Sequence, residues 1–141
     1  EHPGGGRTVY FPWNLGSLFW DVLAQDHQRL IANAVRWALG RQPRLEVAGE
    51  GVLDLAVREN GEGLAVVLHN LTNPMMMKGP IRATFPAGPQ RVSVTVPEGR
   101  TVAAARLLVA GRVVPATVEV GRAIVEVPDI ETLEVVHLTW R

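Results

Sequence analysis

The sequence predicts a mainly β protein in which an antiparallel β-sandwich follows a short strand-plus-helix segment of α/β character. Three observations carry that prediction. Beyond Pro43 the chain is a succession of short, valine-rich runs of period two, separated by turn residues and without helices between them, which is the pattern of an antiparallel, Ig-like sandwich. Between Asp26 and Leu39 the apolar residues recur instead with the period of a helix. The aromatic residues are also segregated, since Tyr10, Phe11, Trp13, Phe19, Trp20 and Trp37 fall at the start of the chain and only Phe85 and Trp140 lie beyond them.

Taken in order, Gly4-Gly5-Gly6 is a turn, and Arg7 to Phe11 is a short alternating strand stopped by Pro12. Asp26 stands where it can cap a helix, and His27, Leu30, Ile31, Ala34, Val35 and Ala38 form its apolar stripe before Gly40 and Pro43 end it. A helix this short is marginal in water by itself, so it is expected to dock through Leu30, Ile31, Ala34, Val35 and Ala38. The strands that follow are Leu45–Ala48, Val52–Arg58, Leu64–His69, Ile81–Phe85, Arg91–Val96, Ala105–Val109, Arg112–Val118, Arg122–Val127 and Leu133–Thr139. Asn60-Gly61, Ala110-Gly111, Val120-Gly121 and Pro128-Asp129 supply turns, the first being a strong two-residue hairpin signal. The chain thus reads as residues 1–42, too small to bury their own apolar surface, and a sandwich over residues 43–141.

The composition excludes several functions. Lysine plus arginine and aspartate plus glutamate number 14 each, so there is no basic surplus to release counterions from a nucleic acid. There is no cysteine, hence no disulfide, thiolate metal site or cysteine nucleophile. No apolar run has the length of a membrane span and the first residues lack a signal-peptide pattern, so neither a membrane partner nor export is expected, and the location expected is the cytoplasm. Lys78 is the only lysine, and the abundance of Arg, Ala, Val and Gly fits a bacterial coding source.

Catalytic candidates are sparse. A glycosidase pair would need two carboxyl groups facing one another across a cleft. Here Glu59, Glu62, Glu98, Asp129 and Glu131 sit in turns, while Glu46, Asp54, Glu119, Glu126 and Glu134 fall at polar strand positions expected to face solvent. His2, His27, His69 and His137 are scattered without metal-binding spacing, and Ser17 and Ser93 lack a nucleophile elbow. No catalytic residue, metal ligand or cofactor site is expected. Asn70, in Asn70-Leu71-Thr72, reads as a turn residue bonding the local backbone. The residues that remain conspicuous suit an interface: Tyr10, Phe11, Trp13, Phe19 and Trp20, together with the adaptable side chains of Met75, Met76 and Met77 between Pro74 and Pro80.

The run Gly6-Arg7-Thr8-Val9-Tyr10-Phe11-Pro12, with Trp20 and the helix Leu30 to Ala38, resembles the last strand and helix of the flavodoxin-like trimerisation domain of bacterial β-galactosidases and related α-L-fucosidase-like glycoside hydrolases. The segments His69-Asn70-Leu71-Thr72-Asn73-Pro74 and Gly88-Pro89-Gln90-Arg91-Val92 resemble the β-sandwich that closes such chains. The resemblance implies that residues 1–42 are the C-terminal remnant of that α/β domain, that the catalytic barrel lies upstream, and that no catalytic carboxylate maps onto this chain. It implies a non-catalytic accessory and assembly module of a carbohydrate-metabolising enzyme, whose partners are upstream domains of its parent or a second subunit, including a homo-oligomer. The alternatives are a carbohydrate-binding module, disfavoured by the scarcity of rings in the sandwich, and a free-standing structural domain.

Overall fold

The computed structural model describes residues 4–72 and 83–141, and the chain divides into two compact units, Glu1–Arg44 and Leu45–Arg141. The methionines at 75–77 lie outside the described residues.

The first unit contains helices α1 (Leu15–Val22) and α2 (Gln25–Leu39). Helix α1 was not anticipated from the sequence: it is only eight residues long and carries Gly16, yet Asn14 provides an orthodox N-cap by accepting a hydrogen bond from the Ser17 amide at 3.3 Å. Helix α2 ends as expected at Gly40, whose left-handed backbone lets its N–H reach the Arg36 carbonyl. Asp26 does not cap it. Ala24 occupies that position without a side-chain bond, and Asp26 lies in the first turn, where a negative charge still suits the positive end of the helix dipole. The strand expected at Arg7–Phe11 does not form, because the described part of the unit holds no second strand to complete its backbone hydrogen bonds.

Of the α2 stripe expected to dock, no residue is fully buried: Leu30, Val35 and Ala38 are exposed, while Ile31 and Ala34, with His27 and Ala32, are half-buried. Leu15 of α1, 4% exposed, is the sole buried apolar side chain described in the unit.

The second unit holds β1 (Leu45–Gly49), β2 (Leu53–Glu59), β3 (Gly63–Asn70), β4 (Gln90–Thr95), β5 (Val102–Leu107), β6 (Arg112–Val114), β7 (Thr117–Glu119), β8 (Arg122–Val127) and β9 (Leu133–Trp140). They form two antiparallel sheets, β1-β4-β8-β7 and β2-β3-β9-β5-β6. The alternation read from the sequence assigns the faces: Leu64, Val66 and Leu68 of β3 and Val136 and Leu138 of β9 meet Val92 and Val94 of β4 and Val125 and Val127 of β8 in one core. Each of these side chains is essentially inaccessible to water, and full burial of a valine or leucine contributes about 1.5–3 kcal/mol.

Three expectations change in this unit. The run Arg112–Val118 is two strands in different sheets, because Pro115 has no N–H to give a ladder and the chain crosses from one sheet to the other there. Residues 83–85 of the expected strand Ile81–Phe85 are not in a sheet; the run ends at Pro86, which cannot donate, and residues 81–82 lie outside the description. The β2–β3 hairpin exists, but Asn60 is not one of its two loop residues: it pairs with Gly63, and its Oδ1 accepts from the amides of Glu62 and Gly63 at 3.0 and 2.8 Å, leaving Gly61-Glu62 as the turn. The β7–β8 turn is the one with positive φ at both central residues, Val120 (48°) and Gly121 (74°).

Candidate functional site

The ring-rich start of the chain is built on local interactions. Arg7 lies over the Trp37 ring, 5.4 Å from its centroid, and its Nη1 donates to the Trp37 carbonyl at 3.0 Å. That carbonyl belongs to the last turn of α2, where acceptors lack intrahelical partners and the dipole favours a cation, so one side chain satisfies both. The extended segment 7–11 is thereby clipped to the end of the helix. Phe11 then packs edge-to-face on Trp13, with centroids 5.8 Å apart and planes at 64°.

What these contacts leave uncovered is the more informative part. Tyr10 is 82% exposed, Trp13 51% and Trp20 55%, whereas Phe11 and Phe19 are half-buried. Val9, Leu18, Val22, Leu30, Val35, Trp37 and Leu39 are exposed as well. Of the twenty large apolar side chains exposed among the described residues, ten lie in this unit of 44 residues, a higher density than in the sandwich. The structure thus brings Phe11 and Trp13 together and leaves Tyr10, Trp13 and Trp20 exposed.

The catalytic candidates do not assemble. Among the described residues no three His, Asp or Glu side chains are grouped to hold a metal ion. On the outer face of the four-stranded sheet the carboxylates are occupied by arginines: Glu119 and Glu126 lie 3.2 and 3.5 Å from Arg91, and Glu46 lies 3.5 Å from Arg122. Ser93 faces outward as expected and accepts from Arg122 Nε at 2.6 Å, while Ser17 serves the first turn of α1. An open depression of about 460 Å³ lies beside this face, lined by Arg91, Arg112, Pro115, Thr117, Ile124 and Glu126 among others, with no aromatic ring for a sugar to stack on.

Glu134 is the clear correction to the reading of polar strand positions. It is 4% exposed and turned inward opposite Leu68, where its carboxylate accepts from the amides of Val109 (2.9 Å), Ala110 (3.1 Å) and Val135 (2.7 Å). It therefore holds the loop after β5 rather than facing water.

The two segments that carried the resemblance contain the other inward polar groups. Asn70 forms the expected local turn through the Thr72 amide at 2.9 Å, and its Nδ2 donates to the carbonyls of Phe85, Ile130 and Glu131 at 2.8–2.9 Å. Buried Gln90 donates to the carbonyls of Glu50 and Gly88 at 2.6 and 2.8 Å. These amides tie loops together. Gln90 was not singled out as such by the sequence, although a glutamine opening a valine-rich strand was the available signal.

No protein-family model and no curated protein matches the chain. Among solved structures it is similar to α-L-fucosidase isoenzyme 2 from Paenibacillus thiaminolyticus, with a TM-score of 0.76 at 16% sequence identity over 94% of this chain and 20% of that one. The likeness establishes a shared fold, and the chain spans about a fifth of the length of the solved chain.

Proposed function

We propose that this chain is a non-catalytic accessory and assembly module of a bacterial glycoside hydrolase, with residues 1–42 the closing end of a flavodoxin-like, trimerisation-type domain and the β-sandwich its C-terminal neighbour. The observation that carries the reading is α2: fifteen residues of helix with an apolar stripe and no buried side chain, beside exposed Tyr10, Trp13 and Trp20. Tertiary burial is what normally stabilises a helix of this length, so the missing cover belongs to a partner surface. The fold shared with one fifth of a fucosidase, together with the resemblance of both segments to the ends of β-galactosidase-like chains, supports a glycosidase parent. The paired or buried state of Glu46, Glu119, Glu126 and Glu134 supports a module that leaves hydrolysis to another domain.

Sedimentation at several concentrations tests the assembly role. The chain should self-associate through the exposed face, and Trp20→Ser should shift it toward monomer. A wild-type chain that is monomeric throughout would overturn the reading. Aryl galactosides and fucosides should be left intact; turnover abolished by a single Asp or Glu substitution would refute the non-catalytic assignment.

A further inference from the structure

Among the described residues the sandwich has four edge strands, β1 and β7 on one sheet and β2 and β6 on the other. A sheet edge carries unpaired backbone groups, and proteins protect such edges by keeping the strand short or by placing proline or lysine on it. β6 and β7 have three residues each and β1 has five. β2 has seven, with neither proline, glycine nor lysine, and among the described residues it pairs with β3 alone.

The ends of β2 settle which way its backbone points. Val52 accepts from the Leu71 amide at 2.8 Å, and Asn60 donates to the Gly63 carbonyl at 3.0 Å. The register between those pairs is unbroken, so Asp54, Ala56 and Arg58 carry the ladder bonds to β3, while the N–H and C=O groups of Leu53, Leu55 and Val57 point to the open side. The contact described there is local: Arg58 Nη1 reaches the Val57 carbonyl at 3.3 Å. Side chains on this strand are also left uncovered. Leu55 and Val57 lie across from the core residues Leu68 and Val66, yet are themselves 40% and 39% exposed. At β2 the apolar inner face of the five-stranded sheet therefore extends beyond its cover.

We propose that β2 pairs antiparallel with β2 of a second copy about a two-fold axis at Ala56, joining the two five-stranded sheets edge to edge. The strand is complementary to itself in this register. Leu55 stands across from the second copy's Val57 as a hydrogen-bonded pair, so the open backbone groups meet and the exposed apolar side chains cover one another. On the other face Asp54 stands across from the second copy's Arg58, and Ala56 across from Ala56, at the non-hydrogen-bonded positions where side chains come closest. Neither Asp54 nor Arg58 has an ion-pair partner among the described residues. Only the end pairs, Glu59 with the second copy's Leu53, are unmatched. An axis at Leu55 or Val57 would set both charges against uncharged residues, and an axis at Asp54 or Arg58 would set like charges against each other. The charges that deter a foreign strand or a slipped register thus favour this one. One strand from each copy makes a small interface, so the pairing is weak and belongs to high concentration. It rests on the sandwich unit and not on the role proposed for residues 1–42.

The test is amide hydrogen exchange, read by NMR at low and high concentration on the ¹⁵N-labelled 141-residue chain and on its Trp20→Ser variant. In both, exchange at Leu55 and Val57 should slow by roughly a factor of two where half the chains are paired, and by more above that concentration. Asp54→Arg and Arg58→Asp, both at exposed positions, should each weaken the pairing roughly tenfold, since either change makes two attractive pairs repulsive. Mixing those two variants should restore the protection, because opposite charges then face each other across the edge. Val57→Pro removes an N–H that β3 does not use and should abolish the pairing. Exchange at Leu55 and Val57 that is independent of concentration, protection that survives either charge reversal, or a mixture that does not restore it would each overturn the proposal. Association abolished by Trp20→Ser, with Leu55 and Val57 exchanging freely throughout, would overturn it while leaving the assembly role of the N-terminal unit intact.

Discussion

Replacing Glu134 by alanine should destabilise the sandwich by about 3 kcal/mol. The magnitude follows from the three amides that converge on its carboxylate: those of Val109 and Ala110 at 2.9 and 3.1 Å, and that of Val135 at 2.7 Å. A hydrogen bond to a charged group contributes about 1.5–3 kcal/mol net. The side chains of Val109 and Ala110 are exposed, so water can reach part of the loop once the carboxylate is gone and the lower figure applies to each of those two bonds. The Val135 bond lies between neighbouring residues of one strand and adds little. For a unit of this size about 3 kcal/mol corresponds to a fall in Tm of roughly 12–24 °C, readable by circular dichroism of the β signal or by urea titration. Glu134→Gln is the sharper control: it keeps shape and volume but turns one acceptor into a donor facing an amide, and should cost nearly as much. A loss below about 1 kcal/mol for both variants would refute the reasoning and return Glu134 to an ordinary sheet position.

Val120, a fully exposed β-branched residue at φ 48°, should be improved by Val120→Asn, which tolerates the left-handed region; the gain is about 1 kcal/mol, and an unchanged midpoint in urea would count against strain at that turn. Asn70→Ala strips three carbonyls and one amide of their partner and should cost about 2–4 kcal/mol, with hydrogen exchange rising first at Thr72 and Ile130. In a helix docked as the apolar stripe predicts, Ile31→Asp would cost as much as a core truncation. With α2 unburied it should instead change the stability of the isolated chain by less than about 1 kcal/mol while abolishing self-association, and a large loss of Tm in a monomer would show that the helix is docked after all.

The sequence by itself determined most of the strands, since short valine-rich runs bounded by turn residues, such as Leu64–His69, Arg122–Val127 and Leu133–Thr139, have the length and composition of buried strands. It also determined α2 and its end at Gly40, and it marked Tyr10, Trp13 and Trp20 as more rings than their short unit could cover. Alternation is a local property, however, and does not say what stands opposite. Glu134 reads as polar and solvent-facing until the loop after β5 folds over it and offers two amides, and Arg112–Val118 reads as one strand until Pro115 sends its halves to different sheets. The pairing of the strand arginines is tertiary for the same reason. Arg91 and Arg58 are alike in sequence, each beside a valine in a strand, and only the register decides that one meets Glu126 while the other meets Ala65. Charges acquire partners from strands distant in sequence, so which arginine meets a carboxylate is decided only when the sheets are assembled.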